Sequence, residues 1–173
     1  IITTGWSALQ TLRDVCEDLK LAIHAHRAMH AAFTRMPEHG ISLAVITKLA
    51  RLVGVDQMHI GTVVGKMAGE VEEVTRLKEI STKKWYGIKP VFPVSSGGLH
   101  PGIVPDVIKL LGKDVILQLG GGVHGHPNGT RKGAIALRQA LEATLSGIPL
   151  DDYARTHEEL RAALDKWGFT RPT

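Results

Sequence analysis

A single cysteine, Cys16, stands among 173 residues, so the chain can form no internal disulfide and no cysteine-based zinc site. A reducing, cytoplasmic compartment is the natural expectation for such a chain. Aromatic residues make up only 5%, too few for a base-stacking platform, and no Lys/Arg run reaches the density of a nucleic-acid-binding tail. No apolar run approaches the ~20 residues that cross a bilayer, which argues against an integral membrane protein. The opening Ile1-Ile2-Thr3-Thr4-Gly5 lacks an initiator Met, a basic n-region and a long apolar core, so it does not read as a signal peptide. A chain opening in mid-pattern reads as a fragment. There is also little charge of one sign: 21 Lys and Arg against 17 Asp and Glu leave +4. That mild excess suits anionic small substrates such as sugar phosphates rather than nucleic acid or a membrane.

What is present is globular in character. Hydrophobic residues are 43% and charged residues 22%, and the length suits one domain of roughly 150 residues or a piece of one. Helical spacing of Leu9, Leu12, Cys16 and Leu19 after Ser7, a candidate N-cap, predicts a first helix. Leu21 to His26 alternates as a short strand, and Ser42 to Val53 is helical with Leu43, Ile46, Ala50 and Val53 on one stripe. Asp56 to Ile60 predicts a strand, and about Gly69 to Lys83 a charged helix. Ile88 to Val94 predicts a third strand in spite of Pro90 and Pro93. Pro101 to Leu111 is helical up to Gly112, and Val115 to Leu119 is a fourth strand running into Gly120-Gly121-Gly122. A helix from Arg131 carries Leu137, Leu141 and Leu145 and ends near Gly147. Thr156 with Glu159 predicts a capping box for a last helix, with Leu160, Leu164 and Trp167 on its apolar face and Gly168 as its stop.

Strands alternating with helices through short loops imply parallel strands under crossover helices. The fold class is therefore α/β, and the polar residues decide between its forms. His26 and Arg27, His59, Ser95 and Ser96, and Gln118 with its glycines all fall at or just after strand C-terminal ends. In a (β/α) barrel those ends form the active-site face, whereas a doubly wound sheet concentrates its ligand at one switch point. Four loaded strand ends favour the barrel.

Several clusters carry chemistry. His24-Ala25-His26-Arg27-Ala28-Met29-His30 combines imidazoles that titrate near neutrality with a guanidinium that grips phosphate. His24 and His26 share a strand face and His26 and His30 have helical spacing, but no HExxH is present and Arg27 would repel a cation. His24 and His30 are also plain candidates for satisfied structural histidines. Gly61-Thr62-Val63-Val64-Gly65-Lys66-Met67 fails the P-loop pattern in its spacing and at Met67. It reads instead as a glycine-flanked loop that brings Lys66 to developing negative charge. Ser95-Ser96-Gly97-Gly98 and Gly120-Gly121-Gly122 let backbone N–H groups approach an anion. His124-Gly125-His126-Pro127 reads as a turn, and Met29 and Met36 as fillers.

Taken together these residues resemble the large chain of ribulose-1,5-bisphosphate carboxylase/oxygenase (RuBisCO). The resemblance rests on His26-Arg27-Ala28-Met29-His30-Ala31, His39-Gly40, His59-Ile60-Gly61-Thr62-Val63-Val64-Gly65-Lys66, Ser96-Gly97-Gly98-Leu99-His100-Pro101, Gln118-Leu119-Gly120-Gly121-Gly122 and Gly125-His126-Pro127. These stand in the family's order, and the tail from Gly147 through Gly168 looks most like the archaeal-type, form III branch.

The resemblance implies the C-terminal half of a (β/α)8 TIM barrel, about strands five to eight, over residues 1–147, with a helical extension over 148–173. It implies His26 as a catalytic proton acceptor and Lys66 as the cation that stabilises carbon dioxide adding to an enediolate. It places Arg27 and His59 on one substrate phosphate. Ser96, Gly97, Gly98, Gln118, Leu119, Gly120 and Gly121 fall at the substrate and its other phosphate, and His30 is a further active-site histidine. The implied substrates are ribulose 1,5-bisphosphate with CO2 or O2, and the implied assembly is a homodimer or a set of dimers. The implied setting is nucleotide salvage in the cytoplasm. Magnesium is the implied cofactor, but the Lys-x-Asp-Glu motif that would supply a carbamylated lysine and two carboxylates is absent from this sequence. No metal ligand is expected in this chain, and the chain alone is expected to be inactive. Two rival readings are a RuBisCO-like enolase of methionine salvage, which retention of Arg27, His59 and Lys66 disfavours, and a non-catalytic anion-binding half-barrel.

Overall fold

The computed structural model describes residues 1–36, 38–63 and 68–169. In chain order the elements are α1 (Trp6–Asp18), β1 (His24–Ala25), α2 (Ala31–Thr34), α3 (Leu43–Val53), β2 (Gln57–His59), α4 (Ala68–Thr82) and β3 (Phe92–Ser96). A 3-10 turn at Pro101–Ile103 then leads to α5 (Val104–Leu111), β4 (Ile116–Gln118), α6 (Gly120–His124), α7 (Thr130–Ser146), α8 (Leu150–Ala154) and α9 (Glu158–Trp167). The strands form one sheet in the order β1-β2-β3-β4. The chain divides into two compact units, Ile1–Ile60 with Glu72–Val94, and Gly61–Val71 with Ser95–Thr173, so β3 begins in the first and ends in the second.

In the first unit the ladder is parallel, with His24 opposite Gln57 and His59 opposite Val94. Pro93 sits inside β3, where propensity argues against it. Its place is explained by the ladder: Phe92 N–H bonds the Asp56 carbonyl at 3.0 Å and Ile60 N–H bonds the Val94 carbonyl at 3.0 Å. The bonds to β2 thus use residues 92 and 94, and the nitrogen of Pro93 faces away from them. Helix α3 follows its sequence closely. The Ser42 hydroxyl accepts from Val45 N–H at 3.4 Å, and Gly54 closes the far end at φ 98°. Leu43, Ile46 and Ala50 pack into a core with Met58, Ile60, Leu77 and Val94.

Helix α1 departs from expectation. Gly5, at φ 84°, occupies its N-cap position and Ser7 lies inside the first turn. Leu9 and Cys16 are buried, while Leu12 and Leu19 are exposed. The strands are shorter than the apolar runs that predicted them, because only the residues between flanking turns reach a ladder partner.

In the second unit the buried stripe of α7 is Gly133, Ala136, Ala140 and Ala143, not the predicted leucines. Leu145 is exposed. Small residues face inward because neighbouring backbone comes close: a Cβ on Gly133 would lie 2.0 Å from the Val123 carbonyl oxygen. The triple glycine is not a loop but the start of α6, and Gly122 is packed with a would-be Cβ 2.4 Å from the Leu99 carbonyl. The Thr156 capping box does not form. His157 takes the N-cap position of α9 with no side-chain cap. The Glu159 carboxylate turns instead to Lys132 Nζ at 2.6 Å and Gln139 Nε2 at 2.9 Å. Those hydrogen bonds, Lys132 first, lower its pKa to about 2. Leu160 and Ala163 carry the buried face of α9, and Gly168 stops it.

Candidate functional site

Parallel strands put alternate side chains on one face. With His24 opposite Gln57, the residues two further on, His26 and His59, project to the same side, and an imidazole cluster results. His24 Nε2 lies 2.8 Å from His59 Nε2, and His24 Nδ1 lies 2.5 Å from Gln57 Oε1. The His26 and His59 rings are 4.4 Å apart between centroids, and His24 meets His59 edge-on at 4.8 Å. His59 is buried, while His24 and His26 are exposed.

After β1 the chain turns. His30 N–H bonds the Arg27 carbonyl at 3.0 Å, and Met29 takes φ 63° at the third position of that turn. A left-handed conformation at a non-glycine residue costs about 1 kcal/mol or more and concentrates at functional sites. The turn leaves Arg27 half-buried beside the histidines. The His26 Nδ1 accepts the Ala28 N–H at 2.9 Å, and His30 Nδ1 pairs with Thr34 Oγ1 at 2.9 Å.

The surroundings of His59 and His30 resist the protonation of those two rings. Burial, then the neighbouring His26, His24 and Arg27, push the His59 pKa down to about 4. Burial and then Arg27 also lower that of His30. Burial lowers Arg27 as well, opposed by Glu73. A neutral imidazole such as that of His59 beside the half-buried Arg27 guanidinium can hydrogen-bond an anion, and an arriving anion favours its protonated form.

The second unit holds the glycine-rich strand ends. Ser95 is fully buried, so alternation turns Ser96 to the other face of β3, where it is half-buried. Gly97 and Gly98 follow at φ 102° and φ 64°, values that a side chain strongly disfavours. After β4, Gln118 is exposed and the Leu119 side chain is buried, so Leu119 offers only its backbone outward. Gly120 and Gly121 have no heavy atom within 4 Å of a would-be Cβ, and their backbone is open to close approach. Lys66 lies outside the described residues.

Sequence reasoning did not single out Gln57, and it left His24 as a plausible structural histidine. The signal was available in the two-residue spacing His24/His26 and Gln57/His59 on adjacent predicted parallel strands, but it required the register. Among the described residues no three His, Cys, Asp or Glu side chains group as a metal site. The donors gathered here are imidazoles, a guanidinium and amides, which do not fit magnesium, a hard cation that requires oxygen ligands.

A parallel α/β sheet whose polar residues gather at the carboxyl ends of its strands defines the class: an α/β domain of the kind that carries its site on strand-end loops. The chain belongs to the ribulose bisphosphate carboxylase large chain family, whose catalytic-domain model matches residues 1–167. It is 61% identical to the ribulose bisphosphate carboxylase of Pyrococcus furiosus over 172 residues, covering 99% of this chain and 41% of the relative. It is 55% identical to that of Methanosarcina mazei, with 96% and 42% covered. Its structure superposes on the octameric ribulose-1,5-bisphosphate carboxylase/oxygenase of Pyrococcus horikoshii with a TM-score of 0.93 at 57% identity, over 97% of this chain and 41% of the other. On the dimeric archaeal enzyme of Hyperthermus butylicus the TM-score is 0.93 at 50% identity, with 98% and 42% covered. The chain thus spans about two fifths of the length of the relatives it matches. Among the described residues no helix is long and apolar enough to cross a membrane.

Proposed function

We propose that these residues are the phosphate-handling part of a ribulose-bisphosphate carboxylase, which joins CO2 and water to ribulose 1,5-bisphosphate to give two 3-phosphoglycerates. The observation that carries this reading is the cluster of Arg27, His59 and His26 at adjacent strand ends, within a chain of this family. A bisphosphate has two anionic ends. We assign one to Arg27 and His59, where a guanidinium supplies a permanent charge and the imidazole a directed hydrogen bond. The other falls to Ser96, Gly97, Gly98, Gln118 and the backbone of Leu119, Gly120 and Gly121. The helix α6 is only five residues long, so this second cradle relies on individual N–H groups rather than on a helix dipole.

His26 is assigned as the proton acceptor. Its Nδ1 holds the Ala28 amide, so taking up a proton there requires release of that amide, while Nε2 carries the hydrogen of the neutral ring. His30 supports the same surface. Lys66 is assigned to the carboxylate that forms when CO2 adds, where an ammonium stabilises the developing charge. Magnesium, if the parent enzyme uses it, is held by residues other than those described here, and no step above depends on it. The oxygenase side reaction with O2, a homo-oligomeric assembly of dimers, a cytoplasmic location and a role in nucleotide salvage belong to the same reading. The assembly part of this reading draws support from the dimeric and octameric archaeal relatives.

The test uses a full-length large chain containing these residues, incubated with magnesium, labelled CO2 and ribulose 1,5-bisphosphate. Acid-stable label in the wild type, reduced at least about a hundredfold in Lys66→Ala, is the expected result. No label from a folded, magnesium-loaded protein would sink the proposal.

A further inference from the structure

We infer that the cavity between α3, α4 and the turn leading into β3 is a binding site for a nucleoside polyphosphate, separate from the strand-end residues and independent of the proposed function. The cavity has a volume of about 540 Å3, within the range of small-ligand sites. Lys48 of α3, Arg76 and Glu79 of α4, and Lys83, Lys84 and Tyr86 just beyond α4 line it. Arg51 and Trp85 complete the lining. The carbonyls that Arg51 holds at Ile88 and Lys89 belong to residues preceding β3. His26, Arg27 and His59 lie at the carboxyl ends of β1 and β2, which run parallel to each other and to β3. The cavity therefore opens at the other end of the sheet.

The spacing of the sequence builds this surface. Arg76, Glu79 and Lys83 follow one another at three and four residues, which places them on one stripe of α4 and its continuation. Lys48, Arg76, Lys83 and Lys84 are all exposed. Among the described residues no hydrogen bond or ion pair engages their side chains, although Glu79 stands at pairing spacing from both Arg76 and Lys83. A helix carboxyl end accounts for cations at Lys83 and Lys84. It does not account for Lys48 and Arg76, which sit in the middle of their helices. The buried Arg51 adds a fifth positive charge to the lining. Such a concentration of one sign attracts an anion, and four free cations exceed what a single phosphate needs.

Tyr86 supplies an independent indication. Ile88 N–H bonds the Trp85 carbonyl at 2.8 Å and closes a turn whose central residues, Tyr86 at φ 43° and Gly87 at φ 79°, are both left-handed. Asn-Gly is the usual pair in such a turn, and a tyrosine there is strained. Its ring is 94% exposed, so burial does not offset the strain. Strain of this kind concentrates at ligand sites. Here it holds a flat ring at a cationic cavity, where a planar base can stack. One ring serves one base, a smaller demand than the repeated platform that nucleic acid requires. Glu79, the carboxylate among the described lining residues, repels phosphate but accepts hydrogen bonds from sugar hydroxyls. Cations, a carboxylate and a ring together match phosphates, a ribose and a base. An inorganic polyphosphate would use only the first.

Isothermal titration with ATP, tripolyphosphate and adenosine, free of divalent metal, tests the site on the 173-residue chain and on a full-length large chain containing it. ATP should bind one per chain, with tripolyphosphate at least about fivefold weaker and adenosine weaker than ATP. Lys48→Gln and Arg76→Gln should each weaken ATP and tripolyphosphate alike, by about threefold. Tyr86→Gly separates ligand binding from a structural role. Glycine is at ease at this φ, so the variant should melt no lower than the wild type. Its ATP affinity should nevertheless fall at least about fivefold, with tripolyphosphate unchanged. Should that variant fail to fold, the wild-type comparison of ATP with tripolyphosphate decides. Absent ATP binding, or equal affinity for ATP and tripolyphosphate, would overturn the inference. So would ATP binding that is lost in Arg27→Ala, which would place the nucleotide at the strand ends, or binding that vanishes in the full-length chain.

Discussion

At the residue scale, Arg51 is the least conspicuous position in the sequence and among the most committed in the structure. It is 2% exposed, and burial lowers its pKa, yet its guanidinium does not rely on a carboxylate. Nε donates to the Lys89 carbonyl at 2.8 Å, Nη1 to Ile80 at 2.6 Å and Nη2 to Ile88 at 3.0 Å. The Trp85 ring lies 5.5 Å away. Three carbonyl dipoles replace water, and in return the end of α4 is tied to the segment that enters β3. Arg51→Met would leave three carbonyls without their donor, at a cost of about 3 kcal/mol or more in urea unfolding. Arg51→Lys should lose most of the same amount, since an ammonium cannot reproduce the fork. A loss within about 0.5 kcal/mol for Arg51→Met would refute this account. Nothing in the sequence marks this arginine, because a charged residue on a helix reads as solvent-facing. His26, Arg27 and His59 were legible by contrast, since each stands at or just after the end of an expected strand and carries chemistry that a strand end does not need. His24 became informative only through its register with Gln57.

At the element scale, the sequence was most legible where a local rule acts alone. Ser42 and Gly54 bracket α3 because a cap needs only its own turn. The strands were found, but not their ends, since ladder length depends on partners far along the chain. Helix α7 shows the opposite case. Its leucines at helical spacing suggested the buried face, yet close backbone neighbours selected the face of Gly133, Ala136, Ala140 and Ala143. Hydrophobic periodicity measures apolarity, whereas packing at short range selects for small volume. Gly133 makes the distinction measurable. In an open helix, Gly→Ala stabilises by about 1 kcal/mol. Here the added methyl would meet the Val123 carbonyl oxygen at 2.0 Å and the His126 Cβ at 2.9 Å, and backbone cannot swing aside as a side chain can. Gly133→Ala should therefore destabilise by about 1–3 kcal/mol in thermal or urea unfolding. A stabilised Gly133→Ala would mean that α7 does not sit against Val123 as described.

At the scale of the whole molecule, what these residues can do is set by the donors they place at strand ends. After β1 come two imidazoles and a guanidinium, β3 ends on a hydroxyl followed by glycines, and β4 ends on an amide with glycines soon after. Such a set is chemically suited to anions. It does not hold a hard divalent cation, for none of the 17 carboxylates in the sequence immediately follows β1, β3 or β4, and the Lys-x-Asp-Glu motif is absent. The chain has about two fifths of the length of its relatives; under the proposed function it would hold the phosphates and carry His26 and Lys66, while the metal ligands that turnover needs lie elsewhere in the large chain. Binding and turnover should come apart accordingly. The purified 173-residue chain, given magnesium, labelled CO2 and ribulose 1,5-bisphosphate, should fix no acid-stable label above the blank, while a full-length large chain under the same conditions does. In that same preparation, chemical-shift changes at His59 and Arg27 on adding the bisphosphate would show that capture survives without chemistry. Label fixed by the chain alone would mean that turnover needs none of the metal ligands assigned here to the rest of the large chain, and the separation of binding from turnover would be wrong.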